Sequence, residues 1–168
     1  MLRVLVPTDG SANSHHGIRH VISEYRKNRD LEVHVLNVQA PFSKHICDFS
    51  SKSDRAELHQ EQAALALAPA RQALDEAGVP YSVHVEVGDK ADCIANMARR
   101  LQCDCIVMST GRKSSLVRMV EQSVTNQVIE RTTVPVEVIA GEPASKLERF
   151  GIPAGVGAGI LVLWMAAS

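Results

Sequence analysis

Apolar runs of strand length alternate strictly with longer helical patterns along this chain, five of the former enclosing four of the latter. The strand candidates are Leu2–Val6, Glu32–Val38, Tyr81–Val87, Cys105–Met108 and Val134–Ile139. The helical candidates are a segment capped by Ser11 or Asn13 that runs to about Lys27, then Ala56–Ala77, Lys90–Leu101 and about Leu116 to Arg131. Such an order predicts an α/β fold: an open parallel sheet with helices on both faces and right-handed crossovers. Sheets of this kind take ligands at the carboxyl ends of their strands, where the strand order reverses.

Periodicity assigns faces to these elements. Ile18, Val21, Ile22 and Tyr25 recur at helical spacing and predict the buried side of the first helix. In the second, Leu58, Leu65, Leu67 and Leu74 are the expected apolar contacts, Pro69 is expected to kink or split the helix, and Gly78-Val79-Pro80 ends it. The third helix is expected to bury Ile94, Met97 and Leu101. Tyr81–Val87 alternates apolar with polar residues, as an edge strand does. A long loop, Gln39 to about Ser53, carries Pro41, His45 and Cys47.

The segment Cys105–Ile139 reads as strand, polar loop (Ser109–Ser115), helix and strand. That unit sets a loop and a helix N-terminus at one edge of a parallel sheet. Unpaired N–H groups and the positive end of the helix dipole make such an edge suited to anions.

Composition narrows the classes of function. A length of 168 residues suits one α/β domain, and a 45% hydrophobic content supports a real core. The formal net charge is -1 with no long run of one sign, so nucleic-acid binding is not expected. Aromatic residues at 4% are too few for base-stacking platforms. Leu2–Pro7 is too short for a secretory signal, so the four cysteines are expected to be reduced thiols of a cytoplasmic protein. Within Cys103-Asp104-Cys105 one cysteine is expected to be buried and the other to sit at a strand boundary. His16 and His20 are expected to be solvated, and neither they nor His45 with Cys47 meet a full metal-ligand pattern, so no metal site is expected. No nucleophile has a base partner in view and no carboxylate pair is placed for acid–base work, so no catalytic residue is assigned.

Several short stretches resemble the universal stress protein family: Val6-Pro7-Thr8-Asp9-Gly10-Ser11, Leu36-Asn37-Val38, Val87-Gly88-Asp89, and Ser123-Val124 followed by Val134-Pro135-Val136. The resemblance covers Leu2–Ala140. It implies a Rossmann-like, adenine nucleotide alpha hydrolase-like sheet ordered 3-2-1-4-5, and a homodimer formed through the last strand at Val136 and Val138. Members that bind ATP carry Gly, two residues, Gly, nine residues, Gly, then Ser or Thr. Counting back from Ser123, the glycine positions fall on Ser109, Arg112 and Gln122, and Gly111 sits one place early.

Glycine at those places lets backbone approach phosphates, so side chains on Arg112 and Gln122 favour an occluded site. Against this, Arg112 and Lys113 supply charge, while Ser109, Ser114, Ser115 and Ser123 supply hydroxyls. The resemblance therefore implies a non-enzymatic stress-response protein with ATP binding weakened or lost. Its alternative is an ATP sensor, with Mg if ATP is bound, built from Pro7, Thr8, Asp9, Val38, Ser109, Arg112, Gln122, Ser123 and Val124.

Beyond Ala140, residues 141–149 read as a linker, and Phe150–Ala167 carries no charge. As a helix those 18 residues would span ~27 Å, just short of a hydrocarbon core. Gly151, Gly155 and Gly159 give a small-xxx-small pattern, Lys146 and Arg149 suit the cytoplasmic side, and Trp164 lies near the far end. Two readings stand: an anchor to the cytoplasmic face of a membrane, which makes the protein a tethered regulator, or an apolar tail docked on protein.

Overall fold

Each strand of the sheet turns alternate side chains toward two helical layers, and that alternation divides the core. The computed structural model describes residues 1–42, 51–112 and 123–143. Its strands are β1 (Leu2–Pro7), β2 (Leu31–Gln39), β3 (Tyr81–Val87), β4 (Cys105–Arg112) and β5 (Val136–Pro143). Its helices are α1 (Ser14–Lys27), α2 (Lys52–Glu76), α3 (Lys90–Arg100) and α4 (Val124–Arg131). The strands pair in parallel in the order β3-β2-β1-β4-β5. This is the expected order 3-2-1-4-5, and the direction of winding reverses between β1 and β4.

On one face Val4, Val6, Val33, Val35 and Val107 meet Ile18, Val21 and Tyr25 of α1 and Ala63, Leu67, Ala70 and Leu74 of α2. On the other, Leu5, Leu36, Ile106 and Met108 meet Ala91, Ile94, Met97 and Ala98 of α3 and Val128 of α4. Removing this apolar surface from water is the main force holding the layers to the sheet, at roughly 25 cal/mol per Å². All four residues assigned to the buried side of α1 are buried. Ile94 and Met97 are buried as expected, with Leu101 packed at the margin. β3 does lie at the edge of the sheet.

Helix α2 departs from expectation twice. Leu58 and Leu65 are exposed, Leu65 to 76%. The buried stripe is Ala63, Leu67, Ala70 and Leu74, spaced four, three and four apart. Leu65 lies two residues from Leu67, about 200° round a helix advancing 100° per residue, and so faces water. The helix also runs unbroken through Pro69. Proline removes a hydrogen bond to the carbonyl four residues back, here that of the exposed Leu65, where water can satisfy it.

Two boundaries near the switch point also shift. β4 continues past Met108 through Ser109 and Thr110 to Arg112, where a loop was expected, because Ser109 pairs with Ile139 and Thr110 with Ala140. β5 begins at Val136, after Val134 and Pro135, and passes through Gly141 to Pro143. The expected helical stretch before Ser123, the Gln122 position, the His45–Cys47 pair and the tail from Phe150 lie outside the described residues. Among those described, no helix is long and apolar enough to cross a membrane.

Cys103 is buried and Cys105 half-buried at the start of β4, as anticipated. His20 is not the freely solvated side chain expected: it is half-buried, and its Nε2 lies 3.0 Å from Oε1 of Glu137 on β5. No cluster of metal-binding side chains occurs among the described residues.

Candidate functional site

The crevice at the β1–β4 reversal is built from the turn that ends β1. Pro7 closes the strand, and the N–H of Thr8 donates to Leu36 O at 2.8 Å, carrying the β1–β2 pairing one residue further. Thr8 is buried, its hydroxyl shares a 3.0 Å hydrogen bond with that of Ser14, and it accepts from Gly10 N at 3.3 Å. Asn37, fully buried on β2, donates from Nδ2 to Thr8 O at 2.8 Å and accepts from Gln39. A buried amide with both ends satisfied fixes the carbonyl geometry of the turn.

Asp9 stands at the exposed rim of this turn, accepting from Ser11 N at 3.0 Å. Partial burial would raise its pKa. Hydrogen bonds from the Ser11 hydroxyl and N–H and from the Ser14 hydroxyl outweigh that, and the carboxyl is held below its ordinary value. Gly10 adopts φ +78°, and a Cβ there would lie 2.8 Å from Ala66 O and 2.9 Å from Ala66 Cα. The turn is thus pressed against the backbone of α2, which walls one side of the crevice.

The other wall is β4 meeting the first turn of α1. Ser109 Oγ accepts from Gly17 N at 2.7 Å, satisfying one of the donors a helix N-terminus leaves open. A Cβ on Gly17 would lie 2.8 Å from that oxygen, so a larger residue there would push the Ser109 hydroxyl aside. Gly141 on β5 is similarly confined: a Cβ there would lie 3.0 Å from Asn13 Oδ1 and 3.1 Å from Thr110 O. Ser11, rather than Asn13, supplies the side-chain oxygen at the start of α1, accepting from Ser14 N at 3.2 Å.

Ser123 is the N-cap of α4, its hydroxyl accepting from Asn126 N at 3.3 Å, and Val124 packs on the core beneath. Val38 is half-buried against the same apolar cluster. Arg112 ends β4 after an irregularity in register and pairs with Pro143.

Of the residues assigned to a nucleotide site, Thr8 and Ser109 are therefore brought to one place, the first turn of α1. Pro7 ends β1, Asp9 lies in the turn after it, Val38 is the penultimate residue of β2, and Ser123 and Val124 open the helix beyond. Gly17, Asn37 and the Gly10–Ala66 contact were not identified from sequence. A glycine inside a helical pattern and an amide inside an apolar strand were the available signals.

The family model for the universal stress protein family matches residues 1–140. The chain is 31% identical over 139 residues to a universal stress protein of Methanocaldococcus jannaschii, covering 82% of this chain and 81% of that one. Its fold is similar to a universal stress protein solved in complex with cAMP, with TM-score 0.62, 21% identity and coverage of 82% of this chain and 96% of the other. It is also similar to a universal stress protein family member from Arabidopsis thaliana with AMP bound, with TM-score 0.61, 18% identity and coverage of 84% and 93%.

Proposed function

The chain belongs to the universal stress protein family, and from that premise we propose a non-catalytic regulatory protein that acts as a homodimer and in which ATP binding is weakened or lost. One observation carries the second part. Ser109, at the first glycine position of the ATP-binding pattern, has its hydroxyl engaged by Gly17 N at 2.7 Å. The side chain fills the approach that glycine would leave open, and it occupies a helix N–H otherwise available to an anion. The hydroxyls of Thr8 and Ser123 are engaged in the same way, with Ser14 and with the first turn of α4.

The relatives with AMP and cAMP bound carry a single phosphate each. An adenine nucleotide of that size makes the smaller demand on the glycine positions and is the better candidate for residual binding at Asp9 and Val38. Dimerisation is supported by β5, which ends the sheet and leaves Val138 44% exposed on a strand with no partner on its outer side among the described residues.

Calorimetric titration of the full chain with Mg-ATP, AMP and cAMP, beside Asp9→Ala, tests the reading. No saturable heat with Mg-ATP supports it. Saturable Mg-ATP binding that disappears in Asp9→Ala overturns it in favour of an ATP sensor. Sedimentation of the wild type against Val138→Arg tests the dimer, which the charge should dissociate.

A further inference from the structure

A second polar cluster lies on the α3 side of the sheet, away from the crevice. His34 of β2 is 6% exposed, and its Nδ1 lies 3.1 Å from Nε2 of His84 on the edge strand β3. The ring centroids are 5.3 Å apart, so the two nitrogens point almost straight at one another. We propose that this His34–His84 contact is an acid-triggered latch on β3: it holds while the two facing nitrogens carry one proton between them, and uptake of a second parts β3 from β2.

The argument is stoichiometric. An N···N hydrogen bond needs one donor and one acceptor, so only one facing nitrogen can be protonated. Two imidazolium rings would set N–H against N–H at this distance, inside a partly desolvated layer. Charged side chains flank the pair on both sides. Glu32 Oε1 lies 3.4 Å from His34 Nε2, outside hydrogen-bonding geometry, and Glu32 is itself held by Arg3 Nε at 3.0 Å. On the other side Arg100 of α3 pairs with Glu86 of β3 at 2.6 Å. At His84, burial, then His34 and then Arg100 hold the ring below the ordinary imidazole value, with Glu86 acting in the opposite sense.

The sign of the pH effect follows. An unfolded or detached His84 takes its proton at about pH 6.5, before the docked ring does, so the contact stabilises fully above that value and weakens as pH falls through it. β3 is the element that yields, since it is an edge strand paired to β2 alone.

Hydrogen exchange of the full chain tests this, read at the β3 amides Ser82–Val87 and corrected for the intrinsic pH dependence. Protection is expected to fall between about pH 7.5 and about pH 5, the interval that spans the ordinary imidazole value. In His84→Gln, which cannot titrate, that pH dependence should vanish. An equal pH dependence in the variant overturns the latch. Should the variant fail to fold, imidazole titration of the wild type by NMR decides: two independent rings at ordinary values with β3 protection unchanged would sink it, and coupled titration that tracks loss of protection would support it.

Discussion

The N–H of Gly17, in the first turn of α1, donates to the hydroxyl of Ser109 on β4 at 2.7 Å. This contact joins the two elements that flank the reversal of the sheet, and a side chain on residue 17 would have to displace the Ser109 hydroxyl. Glycine normally costs a helix about 1 kcal/mol relative to alanine. Gly17→Ala should nonetheless destabilise the protein, because its Cβ would lie 2.8 Å from Ser109 Oγ. The double variant Gly17→Ala/Ser109→Gly removes the clash and should recover most of the loss. Urea unfolding of the two singles and the double measures the coupling; additive effects would show that the contact is not what confines residue 17.

Asn37→Ala should cost about 1–3 kcal/mol, the range for leaving a buried polar group without its partner. It strips Thr8 O of the amide that donates to it at 2.8 Å. Since Thr8 begins the turn that presents Asp9, the variant should also blur the Asp9 environment. The Asp9 carboxyl is held low by the hydroxyl and N–H of Ser11 and the hydroxyl of Ser14, so its titration, followed by NMR, should move up toward the ordinary carboxylate value. A variant that loses stability while Asp9 titrates unchanged would confine Asn37 to the packing of β2.

The fold was legible because β1 and β4 show their two-sided burial as the apolar runs Val4–Val6 and Cys105–Met108, and α1 carries its buried stripe in Ile18, Val21, Ile22 and Tyr25. α2 was misread because alanine does much of its packing: Ala63 and Ala70 touch the core while the more hydrophobic Leu65 faces water. Hydrophobicity ranks residues by what burial would yield, whereas the 3.6-residue period decides which of them reach the sheet. The site was legible only in outline. Turn chemistry located Pro7–Ser11, but Ser109 looks like a loop hydroxyl in sequence and proves to be a strand residue capping a helix 92 positions away. Contacts at that separation leave no periodic trace.

Cys103 should resist thiol reagents in the native protein at about pH 8, where an ordinary cysteine of pKa about 8.5 would react. Burial pushes its thiol up to about 11, against the opposing pull of Arg3. Its reaction should be limited by opening of the structure, so labelling of Cys103 ought to track unfolding across a denaturant series. Rapid modification of Cys103 under native conditions, located by mass spectrometry, would contradict the burial.

Gly10→Ala should be the most damaging of the small substitutions around the crevice, for two separable reasons. The position has φ +78°, and a non-glycine residue held in the left-handed region costs of order 1–3 kcal/mol. The added Cβ would also fall 2.8 Å from Ala66 O and 2.9 Å from Ala66 Cα, backbone atoms of α2 that cannot rotate away. Asn tolerates positive φ better than Ala, but its Cβ meets the same wall. Gly10→Asn should therefore remain destabilised where strain alone would let it recover. Equal stability of Gly10→Asn and wild type, measured by thermal unfolding, would mean that α2 gives way and that the crevice wall is softer than the Gly10–Ala66 contact implies.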